Sequence, residues 1–307
     1  TMQRSLWPKL ASLGLALWAW HLAGTAAAAT LYVWTNSPSP TPPYTNWATA
    51  ATNIQDAIDA ASSSNDIVLV TNGVYASGGV RGLVTMTNRV AVWSSIEVRS
   101  VNGPGVTVIQ GDDNTRCAYV GPDAKLIGFT LTNGHALAVG SGLDLDISGG
   151  GALCWYSAVV SNCVFLGNEA GYGGGVYGAT VIDCTIASNW AFLEGGGAYL
   201  ATLNNCVLRY NTASSGGGSY GGTLGNCTIT SNSASYGGGA YTSALNNCIV
   251  YYNSAATGPN HSGLCTLQYS CTTPDPGGIG NITNAPQFVS AAVGNYRLLA
   301  TSPCINR

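Results

Sequence analysis

The stretch GGGAYLATLNNCVLRYN, residues 195–211, recurs with small changes once before and twice after itself. Anchoring the copies on cysteine gives Cys163, Cys184, Cys206, Cys227 and Cys248, at intervals of 21, 22, 21 and 21 residues. Five residues after each cysteine stands an asparagine: Asn168, Asn189, Asn211, Asn232 and Asn253. Two after it every copy is apolar (Phe165, Ile186, Leu208, Ile229, Val250), and so is the residue three before it (Val160, Val181, Leu203, Leu224, Leu245). The residue just before the cysteine is always Asn or Asp, which shifts the inward-outward alternation by one place and marks a corner. A fixed period near twenty residues implies stacked supersecondary units, each burying a face only against its neighbours.

Leucine-rich repeats share this period, but they carry several leucines per unit and usually a helical return. Here the helical signal is missing. Short apolar runs punctuated by Gly-Gly and Asn predict a coil of three short strands joined by tight bends, because Gly and Asn tolerate left-handed backbone angles. The object is a parallel β-helix. Rungs about 4.8 Å apart set identical residues above one another, so the asparagines form an amide ladder and the apolar side chains fill the bore.

The repeats carry a resemblance. FLGN at 165–168 followed by GGGVY at 173–177 is similar to the paired FxxN and GGA(I/L/V) repeats of polymorphic outer membrane proteins, and the later copies keep the spacing with Ile, Leu or Val for Phe. NIQDAIDAASSSNDIVLVTNGVY at 53–75 resembles the capping helix and first coil of secreted bacterial β-helix proteins, and SIEVRSVNGPGVTVIQG at 95–111 their second coil. NAPQFVSAAVGNYRLLATSPCIN at 284–306 resembles the segment that closes the helix in large surface proteins of such bacteria. The chain thus looks like the pectin-lyase-like superfamily. That implies an all-β fold, a right-handed parallel β-helix solenoid of about eight to ten coils with a short N-terminal capping helix.

Residues 1–29 read as a secretory signal peptide, with Arg4 and Lys9, an apolar stretch over 10–20 and small residues suited to cleavage. The stretch is too short for a bilayer that needs about 20 residues. A secreted or cell-surface location follows. Residues 30–307 make a single β-helix domain, its regular coils at about 151–258; the repeat degenerates after Cys271, and the chain is expected to be a fragment of a longer protein. Ile54, Ala57, Ile58 and Ala61 have helical spacing and predict the plug for the N-terminal opening. LIGFTLTNG at 126–134 reads as one more repeat with Gly128 in the cysteine column, which leaves about 14 extra residues, from His135 to about Ser148, as a loop.

Only 7% of residues are charged and the net charge is −3, which offers no basic surface to nucleic acid. The 41 glycines do not mean disorder, since hydrophobic content is 46% with sixteen tyrosines. Ten cysteines in an exported chain ordinarily mean disulfides. The five in the column, however, have parallel Cβ vectors that disfavour bonding and read as free, buried space fillers. Serine at Cys206 then puts a hydroxyl in an apolar slot at about 1–3 kcal/mol. Among the other five, Cys265 and Cys271 are free to pair. One-sided ligand rows lack tetrahedral geometry, so no metal is expected in the column.

Two function classes remain. Tyr177, Tyr199, Tyr220 and Tyr241, seven before each cysteine, form a ladder that either stacks for stability alone or serves as a platform for sugar rings or another protein's aromatics. Tyr156 joins it only when the repeat is registered by cysteine. This favours a structural, adhesive or glycan-binding role with a polysaccharide or cell-surface glycan as partner. The alternative is a polysaccharide-degrading lyase or hydrolase. Lyases on this scaffold need carboxylates for Ca2+ with a basic residue, and hydrolases need two or three carboxylates on neighbouring rungs. Glu169, Asp183 and Glu194 in the regular coils stand at three phases of the repeat. The catalytic candidates are therefore Asp112, Asp113 and Arg116 with Asp144, Asp146 and His135 in the inserted loop, against the plainer reading of Asp112 and Asp113 as corner residues and of Asp144 and Asp146 as solvated.

Overall fold

The computed structural model describes residues 28–81, 85–137 and 144–305; residues 1–27 of the expected signal peptide lie outside them. The chain winds as a right-handed parallel β-helix. Each regular coil has four short strands rather than three. In one coil these are Thr202–Asn204, Val207–Arg209, Thr212–Ser215 and Ser219–Tyr220. We name the stacked sheets after their repeated residue: the leucine face of ten strands, the isoleucine face of nine, the alanine face of six and the tyrosine face of nine. The fourth strand escapes the sequence pattern because it is only two residues long and follows the glycine triplet directly. No helix interrupts residues 151–258.

Every turn of the coil bends at a left-handed residue. The corner before each cysteine is Asn162, Asp183, Asn205, Asn226 or Asn247, with φ between 49 and 55°, the conformation that short polar side chains tolerate best after glycine. The glycine triplet makes another corner. Gly195 has φ +68°, and a Cβ on Gly196 would stand 2.4 Å from the Thr212 carbonyl oxygen. Crowding by the next coil therefore accounts for the triplets, with no phosphate needed.

The asparagine column is a fully paired ladder. Each backbone N–H and side-chain Nδ2 donates to Oδ1 of the asparagine one coil on, at 2.9–3.0 Å. The second Nδ2 hydrogen goes to a carbonyl of the coil before, as from Asn211 to Ile186 at 2.9 Å. Asn253 closes on Asn260, which replaces the third glycine of the triplet and carries the ladder to Thr273. That last member has no signal in the repeat.

The five column cysteines are buried and free. They do more than fill space: the Cys184 sulfur accepts the Cys163 N–H at 3.3 Å and its thiol donates to Ile182 at 3.1 Å. Ser270 already does the same at the next rung, accepting from Cys248 at 3.1 Å and donating to Gln268 at 2.8 Å. A serine in this column thus finds both partners, and the expected penalty at Cys206 falls away. The member before Cys163 is Phe129, not Gly128, because Thr130 pairs with Val164 and Leu126 with Val160. Cys265 and Cys271 are both free, and they occupy different columns: Cys265 accepts from Ser243 in the bore, whereas Cys271 pairs beside Ile249.

The extra length is divided between two places. The chain takes twelve steps from Ala136 to Ser148 where the next coil takes two from Ala170 to Tyr172. It also takes six from Leu153 to Val159 where the next takes three from Tyr177 to Thr180. The first insertion adds a 3-10 turn, Asp144–Ile147, and the second a raised corner at Trp155, Tyr156 and Ser157.

The N-terminal end is covered as expected. Helix Ile54–Ala60 buries Ile54, Ala57 and Ile58, with Asn53 as its N-cap. Gln55 acts as a substitute strand, donating to the Ala91 carbonyl at 3.2 Å and accepting its N–H at 2.8 Å. The Pro-Ser segment guards the leucine-face edge, where the Tyr32 N–H reaches Tyr44 and the Ala51 N–H reaches Tyr32. Among the described residues no helix is long and apolar enough to cross a membrane.

Candidate functional site

The tyrosines stack on one face of the solenoid. Tyr177, Tyr199, Tyr220 and Tyr241 have successive ring centroids 5.2, 5.3 and 5.4 Å apart, with interplanar angles of 27, 15 and 16°. Each ring is half-buried, one side leaning on its neighbour and an edge in solvent. Tyr156 is not in the column. Its place belongs to Leu153, which pairs with Tyr177 on one side and Tyr119 on the other. Tyr119 thus continues the column beyond the break. Sequence spacing hides it because both early corners are three residues longer.

At this break the raised corner forms a cleft of about 210 Å³ lined by Tyr119, Leu145, Leu153, Trp155, Tyr156 and Tyr177. Trp155 donates its indole N–H to the Tyr119 hydroxyl, and Trp93 lies 4.5 Å from the Tyr119 ring. Aromatic residues thus stand on both sides of the break, Trp93 and Tyr119 on one and Tyr177 to Tyr241 on the other, with the apolar hollow between them.

Two carboxylates flank this surface. Tyr172, 5.2 Å from Tyr199, has its phenol raised above the ordinary value by burial and then by Asp144 and Glu194. Tyr177 is raised by burial, Tyr156 and Asp144. Burial and then Glu194 push Tyr199 up to about 12. All these phenols stay neutral near pH 7 and keep their O–H as donors. The sequence reading set Glu194 aside on phase, because a vertical row was the pattern sought; the carboxylate that acts on the same phenol, Asp144, belongs to the insertion.

The remaining candidates separate. Arg116 is completely buried, bonded to the Ser148, Gly149 and Leu145 carbonyls and to the Asn88 side chain. Burial lowers its pKa to about 10 and the nearby Asp146 charge opposes this. Asp146 is also buried rather than solvated, accepting from Thr85 N at 2.8 Å, Thr85 Oγ1 at 2.6 Å and Met86 N at 3.3 Å. The two fasten the insertion to the coils, out of a substrate's reach. Asp144 is exposed. Asp112 is a turn residue whose carboxylate accepts the Asn114 N–H at 3.0 Å and pairs with Arg89 at 2.8 Å. Asp113 offers its carbonyl to His135 Nδ1, and His135 Nε2 lies 3.7 Å from a Glu169 oxygen, all lining one open hollow. This second cluster lies around the corner from the tyrosines. Among the described residues no three His, Cys, Asp or Glu side chains are placed to hold a metal ion together.

No protein-family model and no curated protein matches the sequence. Among solved structures, a pectin methylesterase in complex with a hexasaccharide has a TM-score of 0.50 and 12% identity, over 84% of this chain and 94% of its own. The pectin methylesterase PemA from Erwinia chrysanthemi gives 0.39 at 12% identity, over 80% of this chain and 71% of that one. A rhamnogalacturonan lyase gives 0.33 at 10%, over 80% and 68%. The likeness is one of fold.

Proposed function

We propose that the chain is an exported, surface or extracellular polysaccharide-binding β-helix that seats a glycan along the tyrosine face. The observation that carries this is the stacked, half-exposed ladder running into the aromatic cleft. Aromatic faces bind the apolar C–H side of sugar rings while phenolic hydroxyls reach their oxygens. The ligand class draws support from a fold neighbour that was solved holding a hexasaccharide. The resemblance to polymorphic outer membrane protein repeats favours the surface location. Charge narrows the class further. The column beside the ladder runs Tyr172, Glu194, Ser215, Tyr236 and Thr257 with no cation in it, and Asp144 stands near the cleft. Neutral sugars are therefore favoured over uronates, which these carboxylates repel.

The second reading is a polysaccharide-degrading enzyme, which draws support from a fold neighbour that acts on pectin as a methylesterase. A specific observation favours it: two carboxylates, Asp144 and Glu194, both act electrostatically on Tyr172 beside the platform. One is then the general acid and the other the base or nucleophile. A glycan array with the wild type, Tyr199→Ala and Tyr220→Ala tests the binding, each variant being expected to lose about 5- to 10-fold from one stacking contact of about 1 kcal/mol. Undiminished binding in both variants ends the ladder reading. New reducing ends or unsaturated ends from a bound glycan, abolished in Asp144→Asn and Glu194→Gln, establish the enzyme instead.

A further inference from the structure

We propose that Cys271 and Cys304 form a disulfide that fastens the segment after the last coil to the outside of the isoleucine face. Cys271 follows the cysteine column by one place, at the outward position held by Val164, Thr185, Val207, Thr228 and Ile249 in earlier coils. Outward residues there are half-exposed, yet Cys271 is buried. What covers it is the end of the chain: its thiol donates to the Asn284 carbonyl at 3.1 Å, and Leu298 and Cys304 join it around a cavity of about 220 Å³. Burial first and then the neighbouring Cys304 thiol raise the Cys271 thiol above its ordinary value.

The covering segment is otherwise lightly held. Its hairpin, Phe288–Ser290 with Asn295–Leu298, runs back along the face, with the Phe288 ring 6.4 Å from that of Tyr252 and a Cβ built on Gly294 standing 3.9 Å from the Arg209 guanidinium. The column cysteines also neighbour one another, but ladder strands fix their Cβ atoms in parallel, the wrong geometry for a disulfide torsion. Cys304 lies on irregular backbone outside every sheet and is half-exposed. Of the pair, it is thus the thiol an oxidant meets first.

The chemistry balances with a disulfide oxidant such as oxidised glutathione. The Cys304 thiolate attacks one glutathione sulfur and releases a glutathione thiolate; the Cys271 thiolate then attacks the Cys304 sulfur and releases the second. Two protein thiols lose two protons and two electrons, and one glutathione disulfide becomes two thiols.

The test takes the reduced chain, equilibrates it with oxidised glutathione, counts thiols after denaturation and maps peptides without reductant. Two of the ten thiols are expected to disappear, in one cross-linked pair containing Cys271 and Cys304, and the segment after residue 284 is expected to resist limited proteolysis more than in the reduced protein. Cys265→Ser should behave the same way, whereas Cys304→Ser, with unchanged circular dichroism, should form no intramolecular cross-link. Ten surviving thiols, a cross-link through Cys265 or the column, or a thiol pair lost from Cys304→Ser would each overturn the proposal.

Discussion

Asn211 and Cys206 are near neighbours in the repeat, but substitution should affect them very differently. Asn211→Ala removes the acceptor of two buried donors on Asn189 and the donor to the Ile186 carbonyl. At about 1–3 kcal/mol for each buried group left unsatisfied, the loss is several kcal/mol, to be read from denaturant unfolding. Because each coil touches only its neighbours, hydrogen exchange should quicken around residues 186–232 before it does at the capping helix. Cys206→Ser should cost less than about 1 kcal/mol: its hydroxyl can donate to the Asn204 carbonyl, now 3.3 Å from the sulfur, while accepting the Cys184 N–H as Ser270 accepts that of Cys248 three coils later. A loss as large as that of Asn211→Ala would mean the column is apolar after all. At this scale the repeat was legible where one residue type holds one rung. Phe129 was missed because a large ring fills a place that small thiols hold elsewhere, and Asn260 because it enters the ladder from the position of a glycine.

Among the elements, the ends of the stack carry the sharpest expectations. Gln55→Ala exposes the N–H and carbonyl of Ala91 at the tyrosine-face edge, so a modest stability loss of about 1 kcal/mol should come with concentration-dependent association in light scattering, as expected of an unguarded edge. A variant that stays monomeric would show that other cover suffices. Asp66 ties down the first strand by accepting N–H bonds from Ala29, Ser62 and Ser63 at 2.7, 2.8 and 2.9 Å. Burial alone would raise its pKa, but these three donors outweigh it and the net shift is downward. A carboxylate depressed in the folded state stabilises above its unfolded pKa of about 3.9, and that contribution is lost as pH falls through the lower folded value. The melting temperature of the wild type should therefore exceed that of Asp66→Asn at pH 6 and converge on it as the pH falls through the depressed folded value; a constant gap would remove Asp66 from the account. The capping helix was legible from apolar spacing alone. Its use of Gln55 as a false strand was not, since the partner lies 36 residues away.

For the whole molecule, near-identical coils make length a free variable. Deleting residues 212–232, one full period from the residue after Asn211 through the next ladder asparagine, should leave a folded protein one rung shorter, by about 4.8 Å, with parallel β circular dichroism retained and the loss in stability close to that of one coil and one interface. Collapse of the whole fold would mean that stability is not shared coil by coil. What the sequence determined by itself was most of what repeats: the parallel stack, the corners, the buried cysteines and the asparagine and tyrosine ladders, though not the two-residue fourth strand of each coil. Stacking at one spacing turns a period in sequence directly into a column in space, so a neighbour one rung away is always one period away. What only the tertiary structure decided lies where that rule fails. Two insertions of different length moved Tyr119 out of phase, placed Leu153 in the tyrosine column, buried Arg116 and Asp146 as the anchor of the insertion, and let Asp144 and Glu194 act on the same phenol. An insertion has no period, so its contacts depend on how the loop packs back on the coils, and packing is a property of three dimensions that no spacing encodes.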